Sequence, residues 1–87
     1  MVYVGKREYK YGRMTMSHMA ADRLDELHEM AKAIGIHKRH FQDKPGKPHY
    51  DICKQNKLKA IKLGAIEVDD RKIIELYRKL LEQFVSL

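Results

Sequence analysis

Apolar residues recur along this chain with two different spacings, and the places where the spacing changes mark its elements. Val2-Tyr3-Val4 is a short β-branched and aromatic run. From Arg13 to Met19, the side chains of Met14, Met16 and His18 alternate with Arg13, Thr15 and Ser17. A period of two sends successive side chains to opposite faces, so both segments predict strands, with Tyr11-Gly12 in the turn before the second. Asp22 then opens a helix. Its carboxylate suits the free amides of a first turn, Asp25 and Glu26 suit the positive end of the helix dipole, and Gly35 supplies the left-handed stop. Leu24, Leu27, His28, Ala31 and Ile34 follow the i, i+3, i+4, i+7 pattern. His28 therefore falls on the buried stripe, where a satisfied core histidine is the simpler reading than a ligand.

The second half is punctuated by proline and glycine. Residues 36 to 42 are too short and mixed to assign, and Asp43-Lys44-Pro45-Gly46-Lys47-Pro48 is a turn-forming loop. Pro48 disfavours a helical Lys47, so the chain arrives extended at His49-Tyr50-Asp51-Ile52. A helix from about Cys53 to Leu63 stops at Gly64, and Ala65-Ile66-Glu67-Val68 predicts another short strand. Asp69 or Asp70 caps a last helix with a wide apolar stripe of Ile73, Ile74, Tyr77, Leu80, Leu81 and Phe84. The order β-β-α, loop, β-α-β-α predicts an α/β domain, with α+β as the alternative: a small sheet of three to four strands and about three helices packed on it.

Length and composition narrow the class. Eighty-seven residues, 44% of them hydrophobic and 34% charged, with two prolines and five glycines, read as one globular domain spanning 1–87. With no run of about 20 apolar residues and a polar start at Met1-Val2-Tyr3-Val4-Gly5-Lys6-Arg7, a cytoplasmic protein without a membrane partner is expected. The single cysteine, Cys53, excludes an internal disulfide and a four-cysteine zinc site. The formal charge of +6 points to an anionic partner, and its distribution sharpens the hint. Lys6, Arg7, Lys10 and Arg13 oppose only Glu8 in the first hairpin; Lys38, Arg39, Lys44 and Lys47 oppose only Asp43 in the long loop; Lys54, Lys57, Lys59 and Lys62 on the middle helix face no acid. A solubilising surface would look much the same.

The stretches Tyr11-Gly12-Arg13-Met14, Met16-Ser17-His18-Met19, Ala21-Asp22, Asp25-Glu26-Leu27-His28-Glu29-Met30-Ala31, Phe41-Gln42, His49-Tyr50-Asp51 and Gly64-Ala65 resemble, in the same order, a family of small bacterial and phage proteins known only as a domain of unknown function. The resemblance runs from about Val2 to Asp70 and implies no activity. Members of that family often carry an acidic residue after the first Tyr-Val strand, where this chain has Gly5, which weakens a metal-dependent reading if that carboxylate is a ligand.

The chemistry-bearing residues gather at strand ends. An extended His49-Tyr50-Asp51 puts His49 and Asp51 on one face, about 7 Å apart along the strand, close enough for the carboxylate to orient an imidazole for acid or base work. If the strand of His18 is a neighbour, His18, His49 and Asp51 converge beside free helix amides, a place for a phosphate. The plain alternative is that both histidines hydrogen-bond in a half-buried sheet while Asp51 caps the next helix. Arg13 offers a bidentate grip on phosphate. With the basic loop, this outlines a ligand site of Arg13, His18, Lys38, Arg39, Gln42, Lys44, Lys47, His49 and Tyr50, and a catalytic set of His18, His49 and Asp51 if there is turnover. His37 and His40, spaced i to i+3, have no third ligand nearby, so no cofactor is expected and a divalent metal is only weakly supported.

Three functions fit. The first is a module binding a nucleotide or nucleic acid; the second is a phosphoesterase or nuclease in which His18 and His49 act as acid and base with Asp51 in support. The third is a phage-encoded interaction protein or nucleotide sponge, a homodimer through residues 70–87. Ile73, Ile74, Leu76, Tyr77, Leu80, Leu81, Phe84 and Val85 motivate the dimer, being more apolar surface than one helix of a small domain usually buries.

Overall fold

The first half of the chain folds by local antiparallel pairing around one long strand. In a computed structural model describing residues 1–43 and 46–85, without the side chains of 84 and 85, the elements are β1 (Val2–Gly5), β2 (Tyr9–Tyr11) and β3 (Met14–Ala21), then α1 (Leu24–Ala33) and a 3-10 turn at Lys38–His40. They continue with β4 (Tyr50–Cys53), α2 (Lys54–Lys62), β5 (Ile66–Val68) and α3 (Asp70–Val85). Lys44 and the side chains of Phe84 and Val85, all named above, lie outside the described residues. Among the described residues no helix is long and apolar enough to cross a membrane.

Among the described residues the fold is α+β, one sheet of five strands with three helices. The strand beyond the expected count is β2, whose Tyr9-Lys10-Tyr11 is too short to declare itself by alternation. It exists because Gly12, at φ 61°, starts a two-residue hairpin loop that brings Tyr11 opposite Met14. β3 is the centre of the sheet. Along one edge it pairs with β1 (Val2 to Ala21, Val4 to Met19) and then with β2 (Tyr9 to Met16); along the other it pairs with β4 (Met16 to Cys53, Met19 to Tyr50). β5 extends the sheet by pairing in parallel with β1.

The period of two along β3 divides the core. Met19 and its neighbours Val4, Tyr50 and Ile52 face α1, whose Leu27, Ala31 and Ile34 are buried with them, and the Tyr50 hydroxyl meets His28 Nδ1 at 2.7 Å. His18 and Ala20 face α3, where Ile73, Leu76, Tyr77 and Leu80 are buried. These four residues of the last helix are thus engaged within the chain itself, whereas Ile74 stays half-exposed.

Two local expectations change in the folded chain. Asp22 does not cap α1, because β3 runs on to Ala21 and holds the Asp22 carboxylate against α3, where it takes Lys79 Nζ at 3.0 Å and the Tyr3 hydroxyl at 3.3 Å. The Leu24 amide instead donates to Gln83 Oε1 at 3.1 Å, so α1 is capped from α3, 59 residues away in sequence. The second change is in α2. Lys57 and Ala60 face inward while Leu58 is 60% exposed, since small Ala60 lets the helix approach the sheet and Lys57 reaches Glu67 Oε2 at 2.8 Å. Glu8 stands 3.8 Å from the same ammonium. One of the middle helix's lysines is therefore neutralised inside and unavailable to a ligand.

Lys57→Met should cost about 1 kcal/mol in urea denaturation, a modest loss because Glu67 is partly exposed and can rehydrate. Adding Glu67→Gln should recover most of it; a neutral single substitution would show that the ion pair adds nothing.

Candidate functional site

The site begins with an irregularity in the sheet. Between the pairs Val4–Met19 and Tyr9–Met16, the four residues Gly5 to Glu8 stand opposite only Ser17 and His18. Such a bulge bends its strand and re-aims the side chains beside it. Here it opens the α3 face of the sheet over His18, leaving a cleft of about 330 Å³ walled by Arg7, Tyr9, Lys47, Asp70, Ile74 and Tyr77.

On the far edge of β3, His18 and Asp51 are directly paired. His18 Nε2 lies 3.3 Å from Asp51 Oδ1, and His49 Nε2 lies 3.1 Å from the same oxygen. The two imidazole rings are 4.3 Å apart, centre to centre. His49 reaches this position because Gln42 and His49 form an isolated antiparallel bridge just before β4, with Pro48 buried ahead of it. Its other nitrogen meets the Lys47 carbonyl oxygen at 2.5 Å. A carbonyl can only accept, so Nδ1 carries the hydrogen.

Neutral groups complete the shell. The Tyr9 hydroxyl donates to Asp51 Oδ1 at 2.6 Å, the Gln42 amide donates to Oδ2, and the Tyr77 hydroxyl lies 2.6 Å from His18 Nδ1. Burial alone would raise the Asp51 carboxyl, but the hydrogen bonds from Tyr9 and Gln42 and the two nearby imidazoles outweigh it and hold the group below the ordinary carboxylate range. Burial, reinforced by His49, lowers His18 despite the pull of Asp51. Burial and then Asp51 drive both the Tyr9 and Tyr77 phenols upward, so both keep their hydroxyl hydrogens at neutral pH. The result is a charged carboxylate beside a neutral imidazole that opens on the cleft, a pair able to give or take one proton at His18 Nε2.

Of the residues named from sequence, the structure assembles His18, Gln42, Lys47, His49 and Asp51. The His49 side chain is 5% exposed and that of His18 is 35% exposed, so His18 is the imidazole a ligand can reach. Gln42 and Asp51 line a second cleft, of about 580 Å³, on the other side of Tyr9, with Tyr11, Met14, His40 and Cys53. Arg13 sits exposed in the β2–β3 loop and lines neither cleft, while Lys38 is beside His28 and His37. Arg39 belongs to the 3-10 turn outside both clefts. Tyr50 points to the opposite face and is fully buried, because it alternates with Asp51. The helix amides expected beside the histidines are already engaged at Leu24 and Glu26. His37 caps the 3-10 turn that ends at His40, its Nδ1 accepts the Arg39 amide, and the two histidines line different clefts.

Arg7, Tyr9, Asp70 and Tyr77 were not singled out for the site from sequence. Tyr77 follows the apolar stripe of its helix and carries no mark that its hydroxyl meets His18. Arg7 is one of several basic residues in a hairpin, and only the bulge gives it a place. Gly5 also lines the first cleft; a Cβ there would lie 3.6 Å from Ile73 and 3.7 Å from the His18 carbonyl oxygen, so the cleft has room for a side chain.

Fold and site together define a small α+β protein whose five-stranded sheet carries a His-Asp-His cluster between two open clefts. Over residues 2–80 the chain matches the family described as protein of unknown function (DUF4031), and it belongs to that family. No curated protein and no solved structure matches it.

Proposed function

We propose that the protein binds a phosphate-bearing ligand, a nucleotide or nucleic acid, in the cleft over His18. The observation that carries this reading is the meeting of Arg7 and Lys47 with the reachable imidazole of His18 in one open cleft. Arg7 is 3.6 Å from Asp70, an exposed and therefore weak pair that an incoming phosphate can replace. Planar guanidinium suits two phosphate oxygens, Lys47 adds a point charge, and neutral His18 can donate a hydrogen bond. Tyr9 and Tyr11 extend the surface toward the second cleft, where an exposed ring can stack on a base.

The test is binding of a labelled single-stranded oligonucleotide and of mononucleotides across a salt series. With two cations engaged, the logarithm of the association constant for the oligonucleotide should fall with the logarithm of salt at a slope of about −1.4. Arg7→Ala with Lys47→Ala should weaken binding at least about ten-fold and remove most of that slope. Oligonucleotide affinity far above that of the mononucleotides would favour nucleic acid, and the reverse would favour a nucleotide. Undiminished binding by the double variant, or no binding of any of these ligands, would refute the proposal.

The shared Asp51 carboxylate favours a second reading, phosphoester hydrolysis with His18 and His49 as acid and base and Asp51 in support. In this geometry His18 would meet the substrate, and His49 would act through Asp51.

A further inference from the structure

We infer that His18, His49 and Asp51 form a three-ligand site for a divalent transition-metal ion of the zinc class. One ligand atom from each residue lies within 4.8 Å of the others. The His18 Nε2 to Asp51 Oδ1 and His49 Nε2 to Asp51 Oδ1 separations, 3.3 and 3.1 Å, match the edge of about 3.3 Å that bonds of about 2.0 to 2.1 Å give in a tetrahedron.

Hydrogen-bond accounting points the same way. His49 Nδ1–H is committed to the Lys47 carbonyl, so in the neutral ring Nε2 presents a lone pair to the Asp51 carboxylate, which also only accepts. Two acceptors 3.1 Å apart need a cation between them, either a proton or a metal. Asp51 Oδ1 already takes the Tyr9 hydroxyl and is approached by both imidazoles, more than its lone pairs serve well by hydrogen bonds alone.

Each ligand is also steadied from behind, as metal ligands generally are. The Lys47 carbonyl accepts from His49 Nδ1, the Tyr77 hydroxyl oxygen is placed to accept from His18 Nδ1, and Gln42 donates to Asp51 Oδ2. Two imidazoles with one carboxylate favour zinc-class ions over magnesium or calcium, which prefer all-oxygen shells. Three protein ligands leave a position open, as in catalytic rather than structural zinc sites. His18 lines the first cleft and Asp51 the second, so the ion borders both.

The ion would also change the electrostatics of the cleft. Asp51 and Asp70 present negative charge to an approaching phosphate; a divalent ion on Asp51 makes the cluster net positive. The site does not depend on the phosphate reading, because the metal alone is the probe.

Chelator-treated protein titrated with Zn²⁺ should bind one ion per chain by calorimetry, and Co²⁺ should give visible d–d absorption. Mg²⁺ should leave both readouts flat. His18→Gln and Asp51→Asn should each weaken Zn²⁺ binding at least about ten-fold, and Tyr77→Phe should weaken it about 10- to 100-fold, the range for a residue behind a ligand. His37→Gln with His40→Gln should leave binding unchanged. In case a variant does not fold, the ring-nitrogen spectrum of the wild-type histidines provides an independent test: Zn²⁺ should shift the Nε2 signals of His18 and His49. No heat and no Co²⁺ absorption with the wild type, or binding lost in the His37/His40 variant but kept in His18→Gln and Asp51→Asn, would overturn the inference.

Discussion

Asp51→Ala is expected to destabilise the fold by about 2 to 4 kcal/mol, the cost of removing a part-buried, multiply bonded charge and stranding its partners. One side chain anchors Tyr9 from β2, Gln42 from the bridge before β4, His49, and His18 from β3. Without it the Tyr9 hydroxyl and the Gln42 amide lose their acceptor together. A chain of this size has a total stability of about 4 to 13 kcal/mol at about 0.05 to 0.15 kcal/mol per residue, so the variant should unfold at much lower urea or be largely unfolded at 25 °C. Asp51→Asn keeps the shape and can still accept from Tyr9, so it should cost about 1 to 2 kcal/mol. Urea titration followed by circular dichroism measures both. If Asp51→Ala loses less than Asp51→Asn, the carboxylate does not hold the site together.

Tyr50→Ala should have an effect of similar size for an unrelated reason. Tyr50 is the largest fully buried side chain among the described residues, packed with Phe41 and His28 on the α1 face. Truncating a buried aromatic to alanine typically costs about 3 to 5 kcal/mol, because the cavity left behind collapses only partly. Tyr50→Phe removes just the hydroxyl bonded to His28 and should cost about 1 kcal/mol. Neither the affinity for Zn²⁺ nor that for an oligonucleotide should change in Tyr50→Phe. A clear loss of either would place Tyr50 in the site and contradict the two-faced arrangement of β4.

Tyr50 and Asp51 also show how far residue pattern reaches. Alternation implied that His49 and Asp51 share a face, and they do. The same rule puts Tyr50 on the other face, although the ligand site outlined from sequence includes it; the packing of α1 against that face makes it core. On α1, the apolar stripe and Gly35 were legible because they follow from chain-local geometry. The helix start was not, since its cap is Gln83 and no window around Asp22 contains it. In α2 a lysine with an acidic partner on a neighbouring strand is buried while Leu58 is exposed, and nothing within the helix segment shows it.

The sequence by itself determined the order and type of the longer elements, the turn at Gly12, the extended approach to His49 and the candidates His18, His49 and Asp51. These depend on backbone preference and on side-chain periods of 2 and 3.6, which are properties of neighbours in the chain. Tertiary structure alone decided that β3 pairs His18 with Asp51, that the Gly5–Glu8 bulge opens a cleft there, and that Arg7, Tyr9 and Tyr77 complete it. Those contacts join residues as many as 59 positions apart; they are set by strand register and by which face a helix covers, and neither is encoded in any short segment.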